Sequence, residues 1–113
     1  AGSHAAFDPL SYHRGSVWPH DNSFAAMGFA ERGFDDAAAT LAERGLRVLE
    51  DCYRRAAPDR LGFPELFTGL DEATVSNGYL VHPDSCEPAA WSAGSVYGFL
   101  RAHPAHDSQS DNR

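Results

Sequence analysis

Eleven residues near the start of the chain, Tyr12-His13-Arg14-Gly15-Ser16-Val17-Trp18-Pro19-His20-Asp21-Asn22, bring together a guanidinium, an indole, two imidazoles, a carboxylate and an amide, with one aliphatic side chain. A pyranose offers an apolar C–H face on which an indole stacks, and a rim of hydroxyls that Arg, Asp and Asn hydrogen-bond as donors and acceptors. The run therefore has the composition of a carbohydrate site. Arg14, Trp18 and Asp21 are its candidate sugar contacts, and His20 is a further hydrogen-bonding side chain beside them. The same residues also suit a purely structural role, a helix N-cap with an Arg–Asp pair and a packed indole.

Two later segments carry further chemistry. In Leu61-Gly62-Phe63-Pro64-Glu65-Leu66-Phe67-Thr68-Gly69 a carboxylate is flanked by aromatics inside a turn-rich stretch. Apolar flanks desolvate a carboxylate and tune it for general acid or base work. The plainer alternative is a loop carboxylate that accepts backbone N–H bonds. In Cys86-Glu87-Pro88-Ala89-Ala90-Trp91-Ser92-Ala93-Gly94 an aromatic stands at a helix start, where it would make a sugar platform. His13, His20, His82, Asp84 and Cys86 lack the short ligand spacings of a zinc site, so neither metal nor cofactor is expected.

These residues need elements to hold them. Pro9, Gly15 and Pro19 interrupt the first segment, which reads as an extended loop. Asp21, Asn22 and Ser23 then offer N-cap chemistry for a helix carrying Phe24, Met27 and Phe29 and stopping at Gly33. Asp35 or Asp36 caps a longer helix to about Arg55, with Ala38, Leu41, Ala42, Gly45, Val48, Leu49, Cys52 and Tyr53 on one face. Its other face is charged, with Glu43 and Arg47, and Glu50 and Arg54, spaced as i,i+4 pairs. The breakers Pro58, Gly62, Pro64, Gly69, Gly78, Pro83 and Pro88 make residues 58–90 mostly loop, a length that suits a segment lining a site. A last helix begins near Pro88 or Ala89 and runs to about Ala102, with small residues at Ser92, Ala93, Gly94, Ser95 and Gly98 that permit close packing.

The predicted class is all-α, helical hairpins joined by long loops. Three short helices with large aromatic faces do not close a core by themselves, which points to a part of something larger. Residues 1–6 have the look of a tag-removal scar, and residues 103–113 read as a polar, disordered tail. The 16 acids outnumber the 9 bases, all of them Arg, for a net charge of −7. That balance excludes the positive stripe that nucleic acid requires. No stretch approaches the roughly 18 apolar residues of a membrane span. A cytoplasmic location is expected, with free, buried thiols as the default for Cys52 and Cys86 and a disulfide between them as the open alternative.

Tyr12 to Asn22, Phe63 to Gly69 and Pro83 to Gly94, in that order and spacing, resemble the C-terminal half of the glycogen-debranching, amylo-α-1,6-glucosidase-like glycoside hydrolases. Mannosylglycerate-hydrolase-like and trehalase-like enzymes are related. The resemblance covers about residues 7–102. It implies part of an (α/α)6 barrel, in which loops at one end of paired helices bind an α-glucoside or α-glucan, and hydrolysis of the inverting type. Inversion requires two carboxyls about 6.5–9.5 Å apart, one protonating the leaving oxygen and one activating water. Glu65 matches the base in the family's LPELF-like motif. The acid is typically an Asp well upstream of the RG-VWP motif, so this chain is expected to lack it. Arg14, Trp18 and Asp21 match sugar-subsite positions, and Trp91 matches the aromatic of the C-PQAW motif. Ala89 stands where that motif commonly has Gln. Two alternatives accompany this expectation: a catalytically silent sugar-binding module, and a helical module that self-associates or docks with the missing half of the barrel.

Overall fold

The computed structural model of this 113-residue chain describes residues 4–56, 62–71, 73–75 and 78–103. Residues 1–3 of the expected scar and 104–113 of the expected tail lie outside that set. Among these residues the fold is all-α, with three helices: α1 (Pro19–Glu31), α2 (Asp35–Arg55) and α3 (Ala90–Ala102). Among the described residues, extended pairing is limited to isolated bridges between Val17 and Phe67 and between Phe67 and Val81. No described helix is long and apolar enough to cross a membrane.

Helix α1 begins three residues earlier than a cap at Asp21 would place it. Pro19 occupies its first turn, with Trp18 as the N-cap residue. Proline's fixed φ and missing N–H suit the first helical position, where that donor would be unpaired anyway. The expected caps turn back on the helix instead. Asn22 Nδ2 donates to the Trp18 carbonyl at 2.8 Å, and Ser23 Oγ donates to the His20 carbonyl at 2.7 Å. The other end matches the expectation. Gly33 has φ of +75°, its N–H bonds the Ala30 carbonyl, and the Phe34 N–H reaches back to Phe29. A residue in the left-handed region is what this closure demands, so glycine belongs there.

Helix α2 packs through Ala38, Ala42 and Leu49 and turns its charges outward. Arg54 bonds Glu50 and Arg55 bonds Asp51 across single turns, while Glu43 meets His103 Nε2 at 3.2 Å. Such exposed pairs add only a fraction of a kcal/mol each. Tyr53, expected on the apolar face, is exposed, with its ring 6.1 Å from that of Phe63.

Helices α1 and α3 meet along a seam of small residues. Ser23 and Ala26 of α1 and Ser92, Ser95 and Gly98 of α3 are all buried. A Cβ at Gly98 would stand 3.0 Å from that of Ser23. The hydroxyls cost little there, because Ser23 and Ser95 bond carbonyls of their own helices. Phe99 then crosses to α2, where it fills the space a side chain at Gly45 would need. The core is small: Ala26, Ala42, Leu49, Phe67, Phe99 and Ala102. Phe24, Phe29, Trp91, Tyr97 and Leu100 remain outside it.

One end of the three helices is closed by loops. Residues 63–69 run extended across it, between residues 9–17 on one side and 80–89 on the other. Val17 and Phe67 exchange both backbone bonds, Gly69 N–H reaches the Pro9 carbonyl, Thr68 N–H reaches Leu80, and Ala89 N–H reaches Phe63. Helices α1 and α3 both start at this layer and α2 ends there, so the loops expected to carry chemistry share one end of the fold.

The packing of Phe99 against Gly45 is directly testable. A Cβ at Gly45 would come within 2.4–2.8 Å of three Phe99 ring atoms. Gly45→Ala should lower the urea-unfolding free energy by about 1–3 kcal/mol, the usual cost of overpacking. Combined with Phe99→Leu it should cost less than the sum of the two single changes, because the methyl then has room. Additive losses would mean that the two residues do not share this space.

Candidate functional site

Glu65 is the centre on which the three chemistry-bearing segments converge. It is 4% exposed, at the middle of the extended 63–69 segment. Its Oε2 accepts a 2.7 Å bond from the hydroxyl of Tyr12 and a 3.4 Å bond from the Cys86 N–H. Those donors lie 53 positions upstream and 21 downstream. A carboxylate has about four acceptor positions, so Oε1 is left for another donor, water or a ligand hydroxyl.

The backbone beneath Glu65 is equally tied. Its N–H lies 2.9 Å from both the Cys86 carbonyl and Ser85 Oγ, and Ser85 Oγ also takes the Leu66 N–H. Ser92 Oγ, in the first turn of α3, donates to the Glu65 carbonyl at 3.3 Å. The His82 N–H bonds the Leu66 carbonyl. The His82 ring accepts the Asp84 N–H at Nδ1 and meets the Leu10 carbonyl at Nε2, 3.0 Å away. These two bonds assign the neutral tautomer with the proton on Nε2. His82 is thus a buried joint between the first and third loops. Among the described residues, no three His, Cys, Asp or Glu stand together in a way that would hold a metal ion.

Tyr12 also organises the aromatic side of the site. Its ring meets Trp18 edge-on at 5.0 Å, His13 at 4.7 Å and His82 at 5.6 Å. The indole N–H of Trp18 bonds the Tyr12 carbonyl at 3.2 Å and Ser16 Oγ at 3.0 Å. Ser16 Oγ itself bonds the Tyr12 carbonyl. Trp18 is therefore fixed in orientation yet only half-buried. His13 lies parallel to it, with ring centres 5.9 Å apart.

Of the other sequence-derived candidates, His20 and Trp91 come together at the N-termini of α1 and α3. Their rings are 6.0 Å apart, and Trp91 is 49% exposed. Arg14 is exposed and pairs with Asp8 at 3.8 Å, with a bond to Ser11 Oγ, rather than with Asp21. Asp21 is exposed in the first turn of α1. Cys86 is exposed, against the expectation of a buried thiol, because its backbone rather than its sulfur serves Glu65. Cys52 is half-buried, and burial pushes its thiol up. Four surface cavities of about 290 to 800 Å³ follow α2, and Glu65 lines none of them.

Sequence reasoning did not single out Tyr12, Ser85 or His82 as supports of this centre. For Tyr12 a signal existed, because a carboxylate held among apolar residues must find a donor and a phenol in the neighbouring motif supplies one. Ser85 and His82 act through loop geometry that their types alone do not encode. No family model matches the chain, and no curated protein matches it.

The Tyr12–Glu65 bond makes a measurable prediction. Bonding to the carboxylate comes first among the causes, followed by burial and by the charge of Glu65, and together they push the Tyr12 hydroxyl up to about 12. A folded-state value above the ordinary 10 means that this contribution to stability is complete below pH 10 and is lost as pH rises through 12. Absorbance titration at 295 nm should show a late tyrosine component. Tyr12→Phe should remove it, and Glu65→Gln should bring it back toward the ordinary value. A late component unchanged in Glu65→Gln would exclude the bond as its cause.

Proposed function

We propose that this chain carries the sugar-binding, base-side half of a glycosidase-type site for α-glucosides, built as part of an (α/α)6 barrel. The observation that supports this most is the convergence of three distant segments on one buried carboxylate that keeps an oxygen available, beside an indole locked in place.

In this reading Glu65 is the general base. Tyr12 and the Cys86 N–H hold Oε2, and Oε1 takes a proton from the water that attacks the anomeric carbon. Trp18 gives the apolar face of the glucosyl unit a surface, and His20 with Trp91 forms a second one at the starts of α1 and α3. Arg14 and Asp21 stand at the exposed margin of the sugar. Helix polarity agrees with a partial barrel: α2 is amphipathic like an outer helix, whereas α1 and α3 are apolar on both sides like helices of an inner ring. The partner acid belongs to polypeptide outside these residues, so the chain alone is a binder of oligosaccharide rather than a catalyst. Its free thiols suit a reducing compartment, and we place it in the cytoplasm.

The chain's two tryptophans are both in the proposed site, so intrinsic fluorescence reports on it. Maltose or isomaltose should give a saturable change without release of glucose. Trp18→Ala should abolish binding, while Glu65→Gln should leave it within about twofold, because a base acts on the transition state rather than on ground-state binding. Should glucose be released, Glu65→Gln should reduce the rate by about 10²–10⁴. Absence of saturable binding to both sugars, or full binding by Trp18→Ala, would remove the carbohydrate assignment.

A further inference from the structure

The outer side of the α1–α3 layer is apolar, and helices that are apolar all round are ordinarily covered on every side. Phe24 is 57% exposed, Phe29 40% and Tyr97 68%. Two glycines share this surface. A glycine in a helix interior costs about 1 kcal/mol relative to alanine. Gly45 and Gly98 have a reason within the chain, since a Cβ there would run into Phe99 or Ser23. Gly28 and Gly94 have none: a Cβ at either meets nothing within 4 Å. Low points on an exposed apolar face suit close approach by something outside the chain.

The charges at the two ends of α1 indicate what approaches. The exposed row along this helix reads Asp21, Phe24, Ala25, Gly28, Phe29, Arg32, alternating three- and one-residue steps that keep it on one side. The row is symmetric about a point midway between Ala26 and Met27. At equal distances from that point stand acid and base, then phenylalanine and phenylalanine, then alanine and glycine. Such a row is complementary to itself when reversed. Laid antiparallel on its own copy, Asp21 meets the partner's Arg32 and Arg32 meets the partner's Asp21. The phenylalanines pack beside each other, and Ala25 and Gly28 form the crossing. Small residues there allow interaxial distances near the lower end of about 8–10 Å.

We propose that a second copy of this chain docks on α1 through this two-fold, antiparallel contact. The interface is isologous, with the same patch used on both partners, and closes after two subunits. Asp21 and Arg32 offset each other within the contact, with the exposed Glu31 at its edge, although each chain carries a net −7. The proposal uses neither Glu65 nor a sugar, but it shares Asp21 with the carbohydrate reading and its Phe24 packs on His20 at 4.7 Å, so Gly28→Leu, which touches neither, is the variant that tests it separately.

Sedimentation velocity at tens of micromolar protein tests it. The wild-type chain should be a dimer. Asp21→Arg or Arg32→Asp alone sets like charges against each other at both ends and should weaken dimerisation about tenfold or more. The double variant Asp21→Arg with Arg32→Asp restores opposite charges at both ends and should recover the dimer. Gly28→Leu should abolish the dimer while far-UV circular dichroism stays unchanged, because the added side chain meets nothing within the chain. A monomeric wild type overturns the proposal. So does a dimer indifferent to Gly28→Leu, or a double variant no better than the singles.

Discussion

A carboxylate removed from water must be met by donors, and in this chain that requirement organises one whole end of the fold. Glu65 is nearly inaccessible, and an unpaired charge in such a position costs several kcal/mol. The Tyr12 hydroxyl and the Cys86 N–H answer it, but each can do so only if its own loop is held. Holding them takes Ser85 under the Glu65 backbone, His82 between the first and third loops, and the paired bonds of Val17 with Phe67. The loops are therefore ordered without being a sheet. Their backbone groups pair across short extended stretches, and side chains supply what a regular ladder would have supplied.

The helices serve this arrangement through closeness rather than bulk. Ser23, Ser92, Ser95 and Gly98 bring α1 and α3 together, so that both N-termini open onto the same loop layer. Ser92 belongs to both systems, being buried in the seam and bonded to the Glu65 carbonyl. A seam of small residues leaves large side chains nowhere to go but outward. Only Phe67 and Phe99 among the aromatics are fully buried, and the interior is filled out by alanines. Most of the other aromatic residues are thus divided between the loop layer and the outer helix faces.

Much of this was legible in residue types, and the failures have physical causes. Helix α2 was readable because an amphipathic run of 21 residues has a strong period, and the end of α1 because Gly33 marks a left-handed turn. The start of α1 was misplaced because Asp21, Asn22 and Ser23 look like caps, yet the fixed φ of Pro19 already suits the first helical position. The outward faces of α1 and α3 gave no clear period, since those helices are apolar on both sides. Glu65, Trp18, His20 and Trp91 could be singled out as candidates from their residue types and motif positions. The bond from Tyr12 was not, because it joins residues 53 positions apart and depends on how the loops fold over one another.

Placing rigidity and openness side by side has a consequence for how such a chain works. The indole of Trp18 is fixed by two bonds from its N–H and stays half-buried, whereas Glu65 is held by its backbone and one carboxylate oxygen and is nearly inaccessible. Order in these side chains is thus established before anything binds, and little conformational entropy is left to lose on binding. The aromatic surface of α1 and α3 lies outside that bonded network, tied to it through Ser92 and the helix starts. Covering the outer faces would add apolar burial without disturbing the bonds that set the geometry of Glu65. Association and site geometry can therefore vary independently, because one depends on what the serine seam pushes outward and the other on what the loops hold at its end.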